Sequence, residues 1–580
     1  MKTFLSHCKG YYKELTLGPL FKLLEAVLEL FIPLLVSQII DVGVANRDIH
    51  YVIRYGLLML LFGASGFVMG ITCQYYASKA AQGFGRSLRT VMFQHVLALS
   101  DKDTAGIGTN SLITRLTNDV NQVQTGVNMA IRLATRAPFL AIGSVIMAIA
   151  INWRIGMIFL ISTPLIALAL YFIMKKSIPF YRNIQRRQDN ISGFAKENLE
   201  GVRVIRAFSR QDAEIEGFTR AGDDLADVTI FVGKISAVLN PLTYTIVNLT
   251  VIVILWMGAD FAFHGNIESG QIIALVNYMN STLLAMIVLA NLIVLFTRAV
   301  ASWGRINEVL QLTPSIWDGT FRSPAAAADA VENGIVFENV SFAYHKESAP
   351  ALDNINFVIL PETTVGIIGG TGSGKSTLAK LIMRFYDTTS GTVIIDGTAV
   401  TNYALDELHD KIGFVPQTAS LFNGTIRQNL LLGKPDATDE DMWQALELAQ
   451  GREFVENMPH RLDTQIREGG KNLSGGQKQR LTIARAIIKK PKFLIFDDSS
   501  SALDYATDTA LRHSLATQIH DTTVLIISQR AASIMNSDQI LVLDEGLLVG
   551  IGTHNELLKT CEVYQEICIS QKVTGVNQVG

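Results

Sequence analysis

Gly369-Gly-Thr-Gly-Ser-Gly-Lys-Ser-Thr377 lies between the apolar, strand-like run Thr364–Ile368 and Leu378–Phe385, whose apolar residues recur at helical spacing. A glycine-rich loop leading from a strand into a helix is the setting that a phosphate-binding loop requires. Gly369, Gly372 and Gly374 let the backbone curl so that successive N–H groups point into one concavity, which Thr371, Ser373 and Thr377 complete. The helix that follows adds the positive end of its dipole. Lys375 is placed to reach the β- and γ-phosphates, and the Ser376 hydroxyl to complete the shell of a magnesium ion.

A chain of 580 residues exceeds what one hydrophobic core supports, so two or more domains are expected. Apolar residues make up 49% and charged residues 17%, with a mean hydropathy of +0.29, too apolar for an ordinary soluble enzyme of this size. A net charge of −3 points to no nucleic-acid partner. The 4 cysteines, Cys8, Cys73, Cys561 and Cys568, have no metal-site spacing and read as free thiols.

The apolar character is concentrated before residue 300. Roughly six segments are long enough to cross a ~30 Å hydrocarbon layer, which takes about 20 helical residues. They are Leu15–Ile40, Tyr51–Cys73, Leu133–Ile151, Ile155–Ile173, Pro241–Phe263 and Ile272–Phe296. Short connections join them in pairs, whereas Gln74–Arg132 and Met174–Asn240 are long and basic near the spans, with Lys79, Arg86 and Arg89 in one and Lys175, Lys176, Arg182, Arg186 and Arg187 in the other. Lys and Arg beside membrane ends mark the cytoplasmic side, so both termini are expected there. Ser87–Leu99, Asn110–Val127 and, less regularly, Glu197–Phe218 carry apolar residues at helical spacing, which predicts membrane helices that extend into the cytosol and turn through short transverse helices. Met1–Tyr12 has the composition of a segment lying along the inner surface. Within the first span, Glu25 and Glu29 admit two readings: carboxylates lining a cavity that favours cationic substrates, or a Lys22–Glu25 pair one helical turn apart.

These features divide the chain into a membrane domain over residues 1–310, a linker over 311–333 that contains Pro314, Pro324 and a run of alanines, and a third region over 334–580. There, strand-like runs (Ile335–Phe342, Val393–Ile395, Phe493–Phe496, Thr523–Ile527, Gln539–Leu543) alternate with helical patterns, as in an α/β domain with a largely parallel sheet. The fold class expected is an all-α, six-helix membrane domain fused to an α/β phosphate-loop domain. Phe493-Leu-Ile-Phe-Asp497 is a buried-strand pattern ending in a carboxylate suited to magnesium, and Gln417 offers a neutral oxygen to the same ion or to an attacking water. Leu473-Ser-Gly-Gly-Gln477 runs into the helical pattern Lys478–Lys489, so that Ser474, Gly475, Gly476 and Gln477 make a second anion-binding helix start. One nucleotide in one chain leaves that second site unexplained. Two chains placed head to tail explain it.

With these motifs in place, the chain resembles a half-transporter of the ATP-binding cassette exporter family over essentially its whole length. The resemblance rests on the Leu473–Gln477 signature together with the Gly369–Ser376 loop. It implies ATP and Mg2+ as ligands, Tyr344 as the aromatic that stacks on adenine, Lys375 as the phosphate lysine, and Ser376, Gln417 and Asp497 as the magnesium set. It also implies that Ser501-Ala-Leu-Asp504 is the loop through which two cassettes sense each other, and that coupling helices lie near Asn110–Leu116 and Ile205–Asp212.

Two positions depart from the family pattern. Where the family has a catalytic Glu this chain has Asp498, one methylene shorter, and where it has a His that contacts the γ-phosphate this chain has Gln529, which cannot carry positive charge. The chain therefore resembles the degenerate-site subunit of bacterial heterodimeric multidrug exporters. Its expected partners are a non-identical half-transporter with an intact Glu and His, membrane lipid and a hydrophobic small-molecule substrate. A homodimeric lipid or peptide exporter and an ATP-gated regulatory or channel subunit are the alternatives.

Overall fold

The computed structural model describes residues 10–322, 334–345, 348–519 and 521–571. The expected surface segment at Met1–Tyr12 falls almost wholly outside these residues, as do Cys8 and positions 323–333 of the expected linker. The chain forms two compact units, Met1–Leu97 with Ile107–Leu312, and Ala98–Gly106 with Thr313–Gly580.

The first unit is all helix. Among the described residues, six helical stretches have the length and composition to cross a membrane: Tyr12–Val44, Ile49–Ala98, Thr109–Ile151, Trp153–Lys176, Pro241–Phe263 and Ser269–Gln311. Helix is the outcome because hydrocarbon offers no partner to a backbone N–H or C=O, so each must be satisfied within its own segment. Several helices run well past the span. Ile49–Ala98 has 50 residues and Trp153–Glu200 has 48, about 75 and 72 Å at ~1.5 Å per residue. Where helices meet, small residues permit close approach, as with Ala77, Ala80 and Ala81 packed with Phe84, Val123 and Ile131. Leu57, Leu60 and Phe67 of the second span remain exposed, the disposition of side chains that face lipid.

Short helices lie at Asp101–Ile107 and Val202–Ala207. The first differs from the expected Asn110–Leu116. That stretch belongs to Thr109–Thr114 and the π-helical turn Arg115–Asp119, which continue directly into Val120–Met129. The helical run breaks at Gly108, with φ +82°, and Asp103 fixes the start of the short helix by accepting from the Ser100 N–H (3.1 Å) and hydroxyl (2.8 Å). Apolar spacing runs on regardless of such a break, so periodicity alone misplaces it. The second helix overlaps Ile205–Asp212 only in part, since Ser209 adopts φ +50° and Gln211 opens the next helix.

A polar cluster joins the third and sixth long helices. The buried Asp119 carboxylate accepts from Arg305 Nε (2.8 Å) and from the Ser302 hydroxyl (2.9 Å), while Arg115 donates to the Arg305 carbonyl (2.9 Å).

In the second unit we number the longer strands β1 (Ile335–Phe342), β2 (Leu352–Ile359), β3 (Thr364–Gly369), β4 (Ser390–Ile395), β5 (Ile412–Val415), β6 (Phe493–Asp497), β7 (Thr523–Ile527), β8 (Gln539–Asp544) and β9 (Leu547–Gly552). The central sheet has the order β9-β8-β3-β7-β6-β5, with β9 the antiparallel edge and the other five strands parallel. All five residues of β6 are buried, as covering both faces of a parallel sheet demands. A second, antiparallel sheet pairs β2 with β1 and β1 with β4. Its β1 and β4 match the strand-like runs Ile335–Phe342 and Val393–Ile395, whereas β2 has no counterpart in the sequence reading, and the expectation of a largely parallel sheet does not separate these strands into a sheet of their own. The observed fold class is the expected one, an all-α membrane unit fused to an α/β unit.

Replacing Asp119 with Ala leaves the Arg305 guanidinium without its carboxylate and unties the two helices. Because the Arg305 side chain is 51% exposed, the expected cost is modest, about 1–2 kcal/mol. It should appear as a lower thermal midpoint in lipid nanodiscs, whereas Glu308→Ala, which removes a mostly exposed partner of Arg115, should leave the midpoint unchanged.

Candidate functional site

The register of the parallel sheet assembles the site. Ile527 of β7 pairs with Ile367 of β3 on one side and with Asp497 of β6 on the other, and Val415 of β5 pairs with Phe496. The glycine loop after β3, Gln417 after β5, Asp498 after β6 and Gln529 after β7 therefore leave the sheet at the carboxyl ends of four neighbouring strands. Ligand sites of open α/β sheets form at that edge.

Within the loop, Gly372 and Gly374 have φ of +84° and +97°. A Cβ on Gly374 would sit 2.5 Å from the Ala351 carbonyl oxygen and 2.6 Å from Leu352 Cδ2, so the position demands glycine twice over, by conformation and by space. Gly374 precedes the helix Lys375–Ile382. The Lys375 side chain is buried, and its ammonium donates to the carbonyls of Gly369 (2.9 Å) and Gly370 (2.6 Å) and to the Ser373 hydroxyl (3.3 Å). Burial pulls its pKa below the usual lysine value, against the opposing charges of Asp498 and Asp497. Burial likewise raises the Asp497 carboxyl above the ordinary carboxylate range, the Ser376 hydrogen bond opposes that shift, and the charge of Asp498 adds to it.

The Ser376 hydroxyl donates to Asp497 Oδ1 at 2.7 Å. Two oxygens meeting at one point at the end of a phosphate-type loop, with no nitrogen or sulfur donor among them, suit a small hard cation such as Mg2+. Gln417 hydrogen-bonds to the neighbouring carboxylate. Its Nε2 donates to Asp498 Oδ2 at 3.2 Å, and Gln529 Nε2 donates to the same oxygen at 3.4 Å. Asp498 itself has φ +45°, in the left-handed region, and its N–H donates to the Ile527 carbonyl (2.9 Å). Asp and Asn tolerate that conformation better than longer side chains do.

Tyr344 is half-buried. Its ring packs edge-on against Phe342 (4.9 Å) and Tyr386 (5.3 Å), its hydroxyl lies 3.1 Å from that of Thr377, and the Lys380 ammonium lies 5.4 Å from its ring centroid. Sequence reasoning missed Tyr386 and Lys380, which lack a motif and are recognisable only once β1 is laid beside the loop helix. Ser474 caps the helix Gly475–Ile487 in a reciprocal box with Gln477, 2.9 Å from the Ser474 N–H to Gln477 Oε1 and 3.3 Å from the Gln477 N–H to Ser474 Oγ. Among the described residues no hydrogen bond joins Ser474–Gln477 to Gly369–Thr377. Asp504 caps the helix Tyr505–Gln518 by accepting from the Thr507 N–H (2.9 Å), which holds its carboxyl below the usual range.

Residues 15–287 match the family described as the ABC transporter transmembrane region, and residues 352–501 match the family described as ABC transporter. YfiB of Bacillus subtilis, an uncharacterized ABC transporter ATP-binding protein, is 36% identical over 571 residues, 98% of each chain. The chain belongs to the ABC transporter family. Further relatives are an ATP-dependent lipid A-core flippase of Photobacterium profundum, 31% identical over 88% of this chain and 86% of that one, and YgaD of Bacillus subtilis, a putative multidrug export ATP-binding/permease protein, 29% identical over 99% of each. The fold matches that of a bacterial Atm1-family ABC exporter with ATP bound, with a TM-score of 0.81 over 98% of this chain and 100% of that one at 22% identity. Family membership makes this ABC exporter an ATP-binding, multi-pass membrane protein whose ATPase activity is coupled to transport.

Gly374→Ala should lower affinity for a fluorescent ATP analogue at least about tenfold, since left-handed strain of roughly 1–3 kcal/mol adds to the clash with Ala351. Gly370→Ala, where an added Cβ meets nothing within 4 Å, should bind the analogue as the unaltered chain does.

Proposed function

We propose that this ABC exporter chain is the degenerate-site subunit of a heterodimer in the cytoplasmic membrane. Both termini face the cytoplasm, and the complex moves drugs or other hydrophobic compounds outward. Residues 1–310 form the membrane domain, 311–333 the linker and 334–580 the nucleotide-binding domain. ATP lies on the Gly369–Thr377 loop with its adenine against Tyr344, and the Ser376–Asp497 pair, joined by Gln417, would hold Mg2+. When bound, that ion neutralises charge on the β- and γ-phosphate oxygens.

The reading is supported chiefly by the shared hydrogen bonding of Asp498 Oδ2 with Gln417 and Gln529. A general base must come within about 3 Å of the water it activates. Here the carboxylate is one methylene shorter than the family's Glu and is held back by two amides. Gln529 adds no positive charge where the γ-phosphate builds negative charge. The helix start at Ser474 keeps an orderly cap, suited to covering the nucleotide on the partner's loop, and the partner in return supplies the Glu and His of the competent site. Lys375–Asp498 then acts as a slow clamp, while turnover at the other site resets the cycle.

A second reading, a homodimeric lipid exporter in which Asp498 suffices, is favoured by the identity to a protein named as a lipid A-core flippase. ATP hydrolysis separates the two. The chain purified alone in lipid should be nearly inactive, and the double variant Asp498→Glu, Gln529→His should gain about a hundredfold or more, within the 10²–10⁴ range typical of a positioned acid–base group. Brisk hydrolysis by the unaltered chain as a dimer of itself, abolished by Asp498→Asn, would sink the heterodimer.

A further inference from the structure

The first span carries two acids, and the structure pairs both. Lys22 Nζ lies 2.7 Å from each oxygen of Glu25, and Arg136 Nη2 donates to Glu29 Oε2 at 2.7 Å. The unpaired carboxylate that a site for cationic substrates requires is therefore missing from both positions. The Glu29–Arg136 pair has a second feature. It forms part of the wall of a cavity of about 100 Å3 between the first, third and sixth spans, whose other walls include Leu133, Leu140, Ser281 and Leu284. At roughly 10–15 Å3 for a single water, such a volume takes a branched alkyl group or a small ring.

The pair also keeps hydrogen-bonding capacity in reserve. Arg136 Nε is buried and makes no hydrogen bond, and Glu29 Oε1 accepts none from the described residues. The Glu29 side chain is 40% exposed. Just before Arg136 the helix widens into the π-helical turn Ala130–Ala134, a distortion that recurs at functional sites. Ionised side chains within a span are costly and tend to serve ligands or pathways. A pair at the wall of a small apolar cavity has both halves of an amphipathic ligand's complement.

Resting on the exporter reading, we propose that Glu29 and Arg136 bind the dipolar head of an amphipathic substrate whose adjoining apolar group enters the cavity. A simple cation approaching Glu29 meets Arg136 at once, and a simple anion meets Glu29. A head that carries an ammonium and an acid side by side gains from both. A zwitterionic lipid and a zwitterionic drug share this chemistry.

The full-length chain, with its native partner, is reconstituted in phosphatidylglycerol vesicles and titrated with four probes. These are norfloxacin, phosphatidylethanolamine labelled on its acyl chain, ethidium and a labelled fatty acid. The unaltered protein should bind one or both zwitterions about tenfold or more tighter than ethidium or the fatty acid, a gap of one charge-assisted contact. Which zwitterion binds identifies the source, drug or lipid. Arg136→Gln should weaken the zwitterions and strengthen ethidium, and Glu29→Gln should weaken the zwitterions and strengthen the fatty acid. The exchanged pair Glu29→Arg, Arg136→Glu should regain zwitterion binding, and it also serves if either single variant fails to fold. Ethidium binding best to the unaltered protein, or an order of affinities unchanged across the variants, overturns the proposal. ATP-driven accumulation of any probe inside the vesicles tests the exporter reading separately.

Discussion

The parallel register of β3, β7 and β6 is the constraint on which the nucleotide-binding unit depends. Because Ile527 faces both Ile367 and Asp497, a slip of one residue would carry Asp497 away from Ser376 and turn buried side chains outward. The register is held by continuous apolar strands packed on both faces, with Val365, Ile367, Phe493, Ile495, Leu525 and Ile527 in one core. That core sits directly behind ionisable groups. Its low polarity disfavours the charged forms of both Lys375 and Asp497, and each is kept serviceable by partners at the strand ends rather than by water. A triphosphate with its cation would restore to these groups what burial removes.

In the membrane unit the controlling constraint is the absence of water. It makes every span a helix and it also disciplines the charges. Lys22 with Glu25 and Arg136 with Glu29 both close at 2.7 Å. Each pairing keeps an ion from standing alone in a poorly solvating medium. The same logic accounts for Asp119, buried beyond the spans and satisfied by Ser302 and Arg305.

Local chemistry was legible in the sequence and long-range placement was not. A phosphate loop can be read because its glycines, lysine and serine each answer a requirement of the ligand. Spans can be read because hydrocarbon selects composition over about twenty residues. The first short helix is not located by periodicity because apolar spacing passes straight through Gly108, and only the backbone at φ +82° shows the break. Glu25 admits two readings in the sequence because a helical neighbour is always available as a partner, and whether it is used depends on what lies across the helix. Tyr386 and Lys380 were invisible beside Tyr344 for the same reason: they meet it only after the antiparallel sheet has formed. Asp498 and Gln529 stood out singly as departures from a family pattern. Their meeting with Gln417 on one oxygen follows from strand order, which no stretch of sequence contains.

That meeting changes what the two departures mean. Were Asp498 and Gln529 independent losses, each reversal would restore its own share of activity. Residues that share one hydrogen-bonded atom do not behave additively, because altering one changes what the other can reach. With Gln529 alone changed, Gln417 still holds Asp498 Oδ2. With Asp498 alone lengthened, an amide still stands where a cationic imidazole stabilises charge. The left-handed backbone at Asp498 adds a further bias toward a short polar side chain. A short carboxylate, two amides and a left-handed turn are mutually consistent, with carboxylate, amides and backbone each reinforcing the same arrangement.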